Sequence, residues 1–327
     1  MKILVTGATG LLGANVVREL ESRGREVRVL ARKNASLSVL AGTEAEVVQG
    51  DITDRTSLRR AMAGCDTVVH SAANTMQWPV HYAFYEPVNV TGTRNVLEVC
   101  RDRGISKAVY VSTANTFGPG TIEQPGTELS EFTGLRTGSG YVLSKFVAQQ
   151  HVLKEVESHQ TPVVIVNPTF MIGPYDARPS SGKIILMGWK KRIQAFPAGG
   201  KSFIHARDAA VGVCNALERG RVGGCYLLAG ENLTYRDFFQ KLNRVTGQKP
   251  IMITIPSPVL KAAGRLGSLS EQTLKKPAPL NIVNARLLTS GYYYSGKKAV
   301  HELALPQTPV ENAIQDALEW FTKAGLP

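Results

Sequence analysis

Tyr141 and Lys145 are the two residues whose pairing most suggests chemistry. They stand four apart in Tyr141-Val142-Leu143-Ser144-Lys145, on one face of a predicted helix. A tyrosine phenol ordinarily gives up its proton near pH 10. A lysine ammonium beside it favours the phenolate and lowers that value. A phenol tuned in this way hands a proton to an alkoxide, or takes one from an alcohol. Taken alone, Tyr-x-x-x-Lys is also a common pair on helix surfaces. A hydroxyl that polarises a carbonyl would complete the set, and Ser112 and Thr113 both follow the strand-like run Val109-Tyr110-Val111.

A second constellation lies near the start of the chain. Thr6-Gly7-Ala8-Thr9-Gly10-Leu11-Leu12-Gly13 follows the apolar run Ile3 to Val5 and opens a helical pattern. Gly7 suits a tight turn, Gly10 lets backbone approach a pyrophosphate, and Gly13 permits close packing of the helix. The free N–H groups of Thr9, Leu11 and Leu12 would face the anion. The glycines are spaced one residue wider than in the common G-x-G-x-x-G form. NAD sites place an acidic residue at the end of the second strand for the ribose 2′-hydroxyl, but here that stretch reads Val29-Leu30-Ala31-Arg32-Lys33. Arg32 and Lys33 suit a 2′-phosphate, so NADP(H) is favoured, with NAD(H) possible. An ordinary solvated strand end is the plainer reading of that basic pair.

Both constellations need strands to hold them. Val- and Ile-rich runs at Ile3 to Val5, Val27 to Leu30, Val47 to Val48, Val68 to Val69, Val109 to Val111 and Val163 to Val166 alternate with helical patterns. That rhythm predicts an α/β fold with a doubly wound parallel sheet, whose ligand crevice opens at the carboxyl ends of the strands. The expected division is a dinucleotide-binding domain over 1–170, with 203–229 returning to it, and a smaller interleaved lobe from 171–202 and 230–327. Pro309 to Leu326 reads as a final amphipathic helix, with Val310, Ala313, Ile314, Ala317 and Phe321 as its apolar stripe.

Composition narrows the classes. With 43% hydrophobic residues in 327, a large core is expected. Cys65, Cys100, Cys214 and Cys225 are too scattered for a zinc site or disulfide framework, so no metal is expected. No run reaches the length of a membrane span, no leader pattern precedes the first strand, and a cytoplasmic location is expected. The formal charge of +12 is spread in short pairs such as Lys190-Lys191-Arg192 and Lys275-Lys276, without a nucleic-acid recognition motif. The apolar and basic stretch Val259 to Lys276 raises a peripheral membrane role.

Further segments, in order, are Gly50-Asp51-Ile52, Val69-His70-Ser71-Ala72-Ala73, Asn89-Val90-Thr91-Gly92-Thr93, Val111-Ser112-Thr113, the Tyr141 to Lys145 helix and Asn167-Pro168-Thr169. Together with the glycine loop, the chain resembles the extended short-chain dehydrogenase/reductase family, which also holds nucleotide-sugar epimerases. The resemblance spans nearly the whole length. It implies that Asp51 and Ile52 flank the adenine, that Ser71, Ala72 and Ala73 run along the cofactor, and that Ser112, Pro168 and Thr169 border it. Asp51 alone would read as a turn residue. The resemblance assigns Tyr141 as general acid/base, Lys145 as its tuning cation and ribose contact, and Thr113 as the hydroxyl on the substrate oxygen. A one-residue slip would exchange Ser112 and Thr113.

Met76, Trp78, Tyr82, Asn167 and Phe170 are the expected substrate wall, although aromatic clusters of this kind equally form core. Dehydratases of the family carry Asp-Glu after the catalytic hydroxyl, whereas here Ala114-Asn115 stands. Epimerases place a diphosphate-binding arginine where Lys201 precedes Phe203-Ile204-His205. The chain looks most like the branch of dihydroflavonol 4-reductases and ketone reductases. The expected activity is NADP(H)-dependent interconversion of a ketone and its alcohol on a mostly apolar small molecule, in a possible homodimer. The alternatives are a nucleotide-sugar epimerase with tightly bound NAD and a non-catalytic NADP-sensing regulator.

Overall fold

β-branched runs favour a pleated surface that is covered on both faces, and here they pair into one sheet. The computed structural model describes residues 1–76 and 78–326. The first half contains β1 (Lys2–Thr6), α1 (Leu11–Ser22), β2 (Glu26–Ala31), β3 (Glu46–Gln49), α2 (Arg55–Met62), β4 (Thr67–His70), α3 (Gly92–Asp102), β5 (Lys107–Val111), α4 (Gly140–His159) and β6 (Val163–Pro168). Then come β7 (Phe170–Ile172), α5 (Lys183–Gly188), β8 (Ile193–Pro197), β9 (Gly200–His205), α6 (Ala206–Arg219), β10 (Cys225–Leu228), β11 (Glu231–Thr234) and α7 (Tyr235–Thr246). The chain closes with β12 (Ile251–Ile255), α8 (Ser257–Leu274), α9 (Ile282–Thr289), β13 (Gly291–Tyr292), α10 (Lys297–Leu303) and α11 (Val310–Lys323).

The large sheet has seven parallel strands in the order β10-β6-β5-β4-β1-β2-β3. Its winding reverses between β1 and β4, and the crevice of a doubly wound sheet opens at that point. Leu12, Val16, Val17 and Leu20 of α1 bury against one face, joined by Ala209, Val213 and Leu217 of α6. The other face is covered by Leu58, Val96, Ala148 and Val152 of α2, α3 and α4. Each such leucine or valine side chain stabilises the fold by roughly 1.5–3 kcal/mol on burial. α1 stops where Gly24 turns left-handed at φ +68°.

The second lobe is smaller and mixed. β9 pairs antiparallel with β11 and parallel with β7 and β13, and β8 pairs with β12. Phe196, Phe203, Phe238, Phe239 and Phe321 form its core. The stripe Val310, Ala313, Ile314, Ala317 and Phe321 is buried, as the sequence periodicity predicts. The segment 203–229 is split. Phe203 to His205 finish β9 in the small sheet, and only α6 and β10 rejoin the large one. Among the described residues no helix is long and apolar enough to cross a membrane.

Candidate active site

The glycine loop is shaped by backbone contacts. Gly7 has φ +75°, and a Cβ there would lie 2.5 Å from the Ala72 nitrogen. A Cβ on Gly13 would collide with the Gly7 carbonyl oxygen. Gly10 caps α1 with no side-chain hydrogen bond, and no acidic residue stands in the first turn. The helix therefore presents uncapped amides and a positive dipole end. These features fit a pyrophosphate.

Behind the loop runs a buried polar relay. The Ala72 N–H reaches Thr6 Oγ1 at 3.3 Å, and Thr6 Oγ1 lies 2.8 Å from His70 Nδ1. His70 Nε2 lies 3.0 Å from Thr93 Oγ1, whose proton goes to the Asn89 carbonyl at 2.7 Å. With that proton committed, Nε2 must donate and Nδ1 must accept from Thr6. Burial, reinforced by the Lys145 charge, pulls the imidazole down to about 3, so it is neutral. Asn89 continues the chain. Its Oδ1 accepts from the Asn74 amide at 2.7 Å, and its Nδ2 donates to Ser144 Oγ at 2.9 Å. Ser144 in turn donates to the Tyr141 carbonyl at 2.7 Å. The relay ties the cofactor loops to the helix that carries Tyr141.

At the far end of β2, Arg32 and Lys33 are exposed. They border a cleft of about 370 Å³ with Gly50, Asp51, Ser57 and Arg60. Arg60, in the last turn of α2, is a third cation there, which the sequence did not single out because only the fold brings it to the end of β2. Asp51 Oδ1 accepts from the Thr53 amide at 2.9 Å and hydroxyl at 2.8 Å, so it is a turn residue as well as a wall of the cleft. Ile52 is buried where a Cβ on Gly92 would meet it. Ser71 donates its N–H to the Thr6 carbonyl, and the half-buried Ala73 continues that loop.

Tyr141, Thr113 and Lys145 meet at the ends of β5 and α4. Thr113 starts a tight turn, its hydroxyl accepting from the Asn115 amide at 3.4 Å, and its side chain stands next to the Tyr141 phenol. Burial pushes the phenol up to about 12, and the neighbouring Thr113 hydroxyl only partly opposes that. Burial pulls Lys145 down to about 7. Its ammonium donates to the Val111 carbonyl at 2.8 Å and stands 4.5 Å from the centre of the Tyr110 ring. Lys145 thus holds the strand end and the Tyr110 face, and at the phenol burial outweighs its neighbours.

Ser112 is buried and turns its hydroxyl inward toward Tyr110, short of a well-formed hydrogen bond, while its N–H donates to the Val166 carbonyl. Thr113, not Ser112, meets Tyr141. Asn167 was expected to line the substrate. It is wholly buried beneath Thr113, its Nδ2 donating to the Thr113 carbonyl at 3.2 Å, Thr116 Oγ1 at 3.0 Å and Gln149 Oε1 at 2.7 Å. Pro168 and Thr169 follow it along β10, with the Thr169 N–H 3.0 Å from the Leu228 carbonyl.

The walls over this point are apolar. Met76 is exposed, and Trp78 and Tyr82 are half-buried. Tyr85, which the sequence did not single out, packs edge-on to Tyr141 with ring centres 6.1 Å apart. Its hydroxyl fixes the loop by donating to the Met76 carbonyl at 2.8 Å. In the small sheet, Lys201 Nζ lies 5.1 Å from the Phe170 ring centre and 5.4 Å from that of Tyr292. Tyr294, two residues on, points its hydroxyl at the Phe117 carbonyl at 3.3 Å, which joins this strand to the Thr113 turn. Lys201 keeps some solvent access, makes no hydrogen bond or ion pair among the described residues, and is lowered to about 8 by burial.

The sequence pattern of the NAD dependent epimerase/dehydratase family matches residues 3–229. Sterol demethylase protein B of Methylococcus capsulatus is 33% identical over 100% of both chains. A 4-hydroxy-2-methyl-3-oxo-4-farnesyl-3,4-dihydroquinoline-1-oxide ketoreductase of Stigmatella aurantiaca is 32% identical, over 99% of this chain and 98% of that one. The crystal structure of gox2253 superposes with a TM-score of 0.87 at 30% identity, covering 99% of this chain and 98% of the other. Likeness on this scale places the chain in the NAD dependent epimerase/dehydratase family, among the NAD(P)-dependent oxidoreductases of the extended short-chain dehydrogenase/reductase type.

Proposed function

We propose that the protein is an NADP(H)-dependent reductase of a ketone, or dehydrogenase of the matching secondary alcohol, acting on a largely apolar molecule with an anionic group. The observation that carries the reaction type is the placement of Tyr141 next to Thr113 at the end of β5, on a helix tied through Ser144 and Asn89 to the loop that backs the glycine turn. NADPH, when bound, supplies the hydride. Thr113 and Tyr141 hold the carbonyl oxygen, and Tyr141 gives it the proton from its hydroxyl as negative charge develops there. Lys145 places a cation beneath them, held by the Val111 carbonyl. Asn167 and Gln149 position the Thr113 turn from below, and the His70 relay holds the cofactor loop.

NADP preference rests on the Arg32, Lys33 and Arg60 edge of the adenine-side cleft and the lack of an acid at the end of β2. The substrate reading rests on Tyr85 against Tyr141, and on Lys201, unpaired among the described residues, between Phe170 and Tyr292. Two relatives are named for a sterol and for a farnesylated dihydroquinoline oxide. The test is titration of cofactor-stripped protein with NADPH and NADH, then NADPH consumption on paired ketones with and without a carboxylate. Tighter NADPH binding with net oxidation is expected. Tightly held NAD and no net oxidation would replace this reading with an epimerase.

A further inference from the structure

α8 packs inward through its small and polar residues. A Cβ on Gly264 would press on Ala285, and one on Gly267 on the Leu280 carbonyl. Ser268 Oγ accepts from the Ile282 amide, and Glu271 Oε1 accepts from the Ala278 amide and Asn281 Nδ2. The opposite side has no such partners. Val259 is 57% exposed, Leu266 69% and Leu269 58%, at the spacing of one helical stripe. An amphipathic helix in water normally turns its apolar stripe to the core. Here the small residues face the protein and the large apolar ones face out.

The charges around the stripe have one sign. Lys261 and Arg265 flank it one turn apart, and Lys275 and Lys276 stand exposed at its end. Glu271, the one acid of α8, is turned inward by the bonds just described. The ribbon that feeds α8 continues the pattern. Ile251 and Ile253 of β12 and Ile193 of β8, which pairs with Ile251, are exposed on the same side of the two strands. The surface also adjoins the site. α8 packs on α9, α9 packs on the 134–137 turn, and Val283 lies against Gly138, three residues before Tyr141. Leu135 in that turn is exposed as well.

We propose that α8 docks the enzyme on an anionic lipid surface, with Val259, Leu266 and Leu269 entering the headgroup boundary and the four cations meeting lipid phosphates. An exposed apolar stripe bordered by lysine and arginine is the chemistry of an interfacial helix. Each cation near an anionic surface contributes about 1 kcal/mol, screened by salt. α9 and the 134–138 turn would then hold the Tyr141 helix near a membrane in which a largely apolar substrate dissolves. Docking itself stands on the surface alone, whatever ketone is turned over.

The full chain should be sedimented with vesicles of phosphatidylcholine, alone or mixed with phosphatidylglycerol, at low and high salt. Sedimentation is expected with the anionic mixture at low salt and is lost at high salt. Replacing Arg265, Lys275 and Lys276 with glutamine should weaken binding roughly a hundredfold. Leu266→Asp with Leu269→Asp should abolish it, while turnover of a water-soluble ketone stays unchanged and certifies the fold. The exposed lysine and arginine variants keep the test decisive if the aspartate variant does not fold. Equal binding to neutral vesicles, indifference to the charge variants, or self-association through α8 in sedimentation equilibrium overturns the proposal. A soluble ketone reductase that never binds vesicles also overturns it and leaves the catalytic reading intact.

Discussion

The two walls of the catalytic crevice are made of different material. The cofactor wall consists of backbone and fully used polar groups: Gly7 against Ala72, Gly13 against the Gly7 carbonyl, and a closed run of hydrogen bonds through Thr6, His70, Thr93 and Asn89. The proposed substrate wall would consist of side chains from separate segments, with Met76 exposed, Trp78 and Tyr82 half-buried and Lys201 without a counter-charge among the described residues. A wall built from backbone accepts one shape of ligand and tolerates little change. One built from side chains can be re-specified residue by residue over the same chemistry. Lys145 sits at the seam, with a cost to stability on one side and the proposed catalytic role on the other.

The largest effect belongs to the residue both walls share. Tyr141→Phe removes the proton donor and should lower kcat/KM by about 10²–10⁴-fold. NADPH affinity should stay within about twofold, because the glycine loop does not use the phenol. Steady-state kinetics with a fluorescence titration checks both, and a fully active variant would remove Tyr141 from the mechanism.

Lys145→Met separates stability from function. Lysine ordinarily titrates at 10.5, and in the folded protein Lys145 lies at about 7. Between those values the unfolded chain binds a proton that the folded one does not, so the lysine's drag on stability is full below about pH 7 and fades as pH rises toward 10.5. Its removal should stabilise the cofactor-free protein by up to about 4 kcal/mol at pH 6, and by progressively less at alkaline pH, while abolishing turnover. Thermal melts of both proteins across that range provide the check. A variant that melts lower at every pH would mean that the Val111 and Tyr110 contacts outweigh the burial of charge.

Arg32→Ala tests the rim of the cofactor wall. Losing a charge-assisted bond to a 2′-phosphate should weaken NADPH about tenfold and leave NADH unchanged. Equal losses for both cofactors would mean that Arg32 serves the adenine or the fold instead.

Much of the cofactor wall was legible in the sequence because its demands are local. A left-handed Gly7 and a helix starting at Leu11 fix the glycine spacing, and a helix fixes the distance from Tyr141 to Lys145. The aim of Lys145 was not legible, since its acceptor belongs to the end of β5. The same holds for Asn167, which lies on the right strand end but turns its amide under Thr113. His70 stood inside a motif, yet its part in the relay depends on Thr6 and Thr93 from two other elements. Phe203-Ile204 has the apolar look of a strand in the large sheet, and only pairing reveals that β9 joins the small one. Tyr85 and Tyr292 reach the cleft from loops and short strands with no periodicity to mark them.

Lys201 offers the finest test of the substrate wall. An unpaired ammonium between two rings is stabilised by their faces only modestly, and burial costs it part of its charge, as its fall to about 8 records. A substrate carboxylate would restore the missing partner and raise that value in the complex. Lys201→Met keeps the length and the apolar contacts with Phe170 and Tyr292 and removes only the charge. KM for a carboxylated ketone should rise about tenfold, with kcat and the KM of its neutral analogue unchanged. In the wild type, the KM for the carboxylated ketone should climb as pH passes upward through about 8, because the cation is lost on that side, and this climb should vanish in the variant. If both ketones respond equally to the substitution, Lys201 supports the wall without reading charge, and the anionic part of the substrate assignment falls while the hydride chemistry stands.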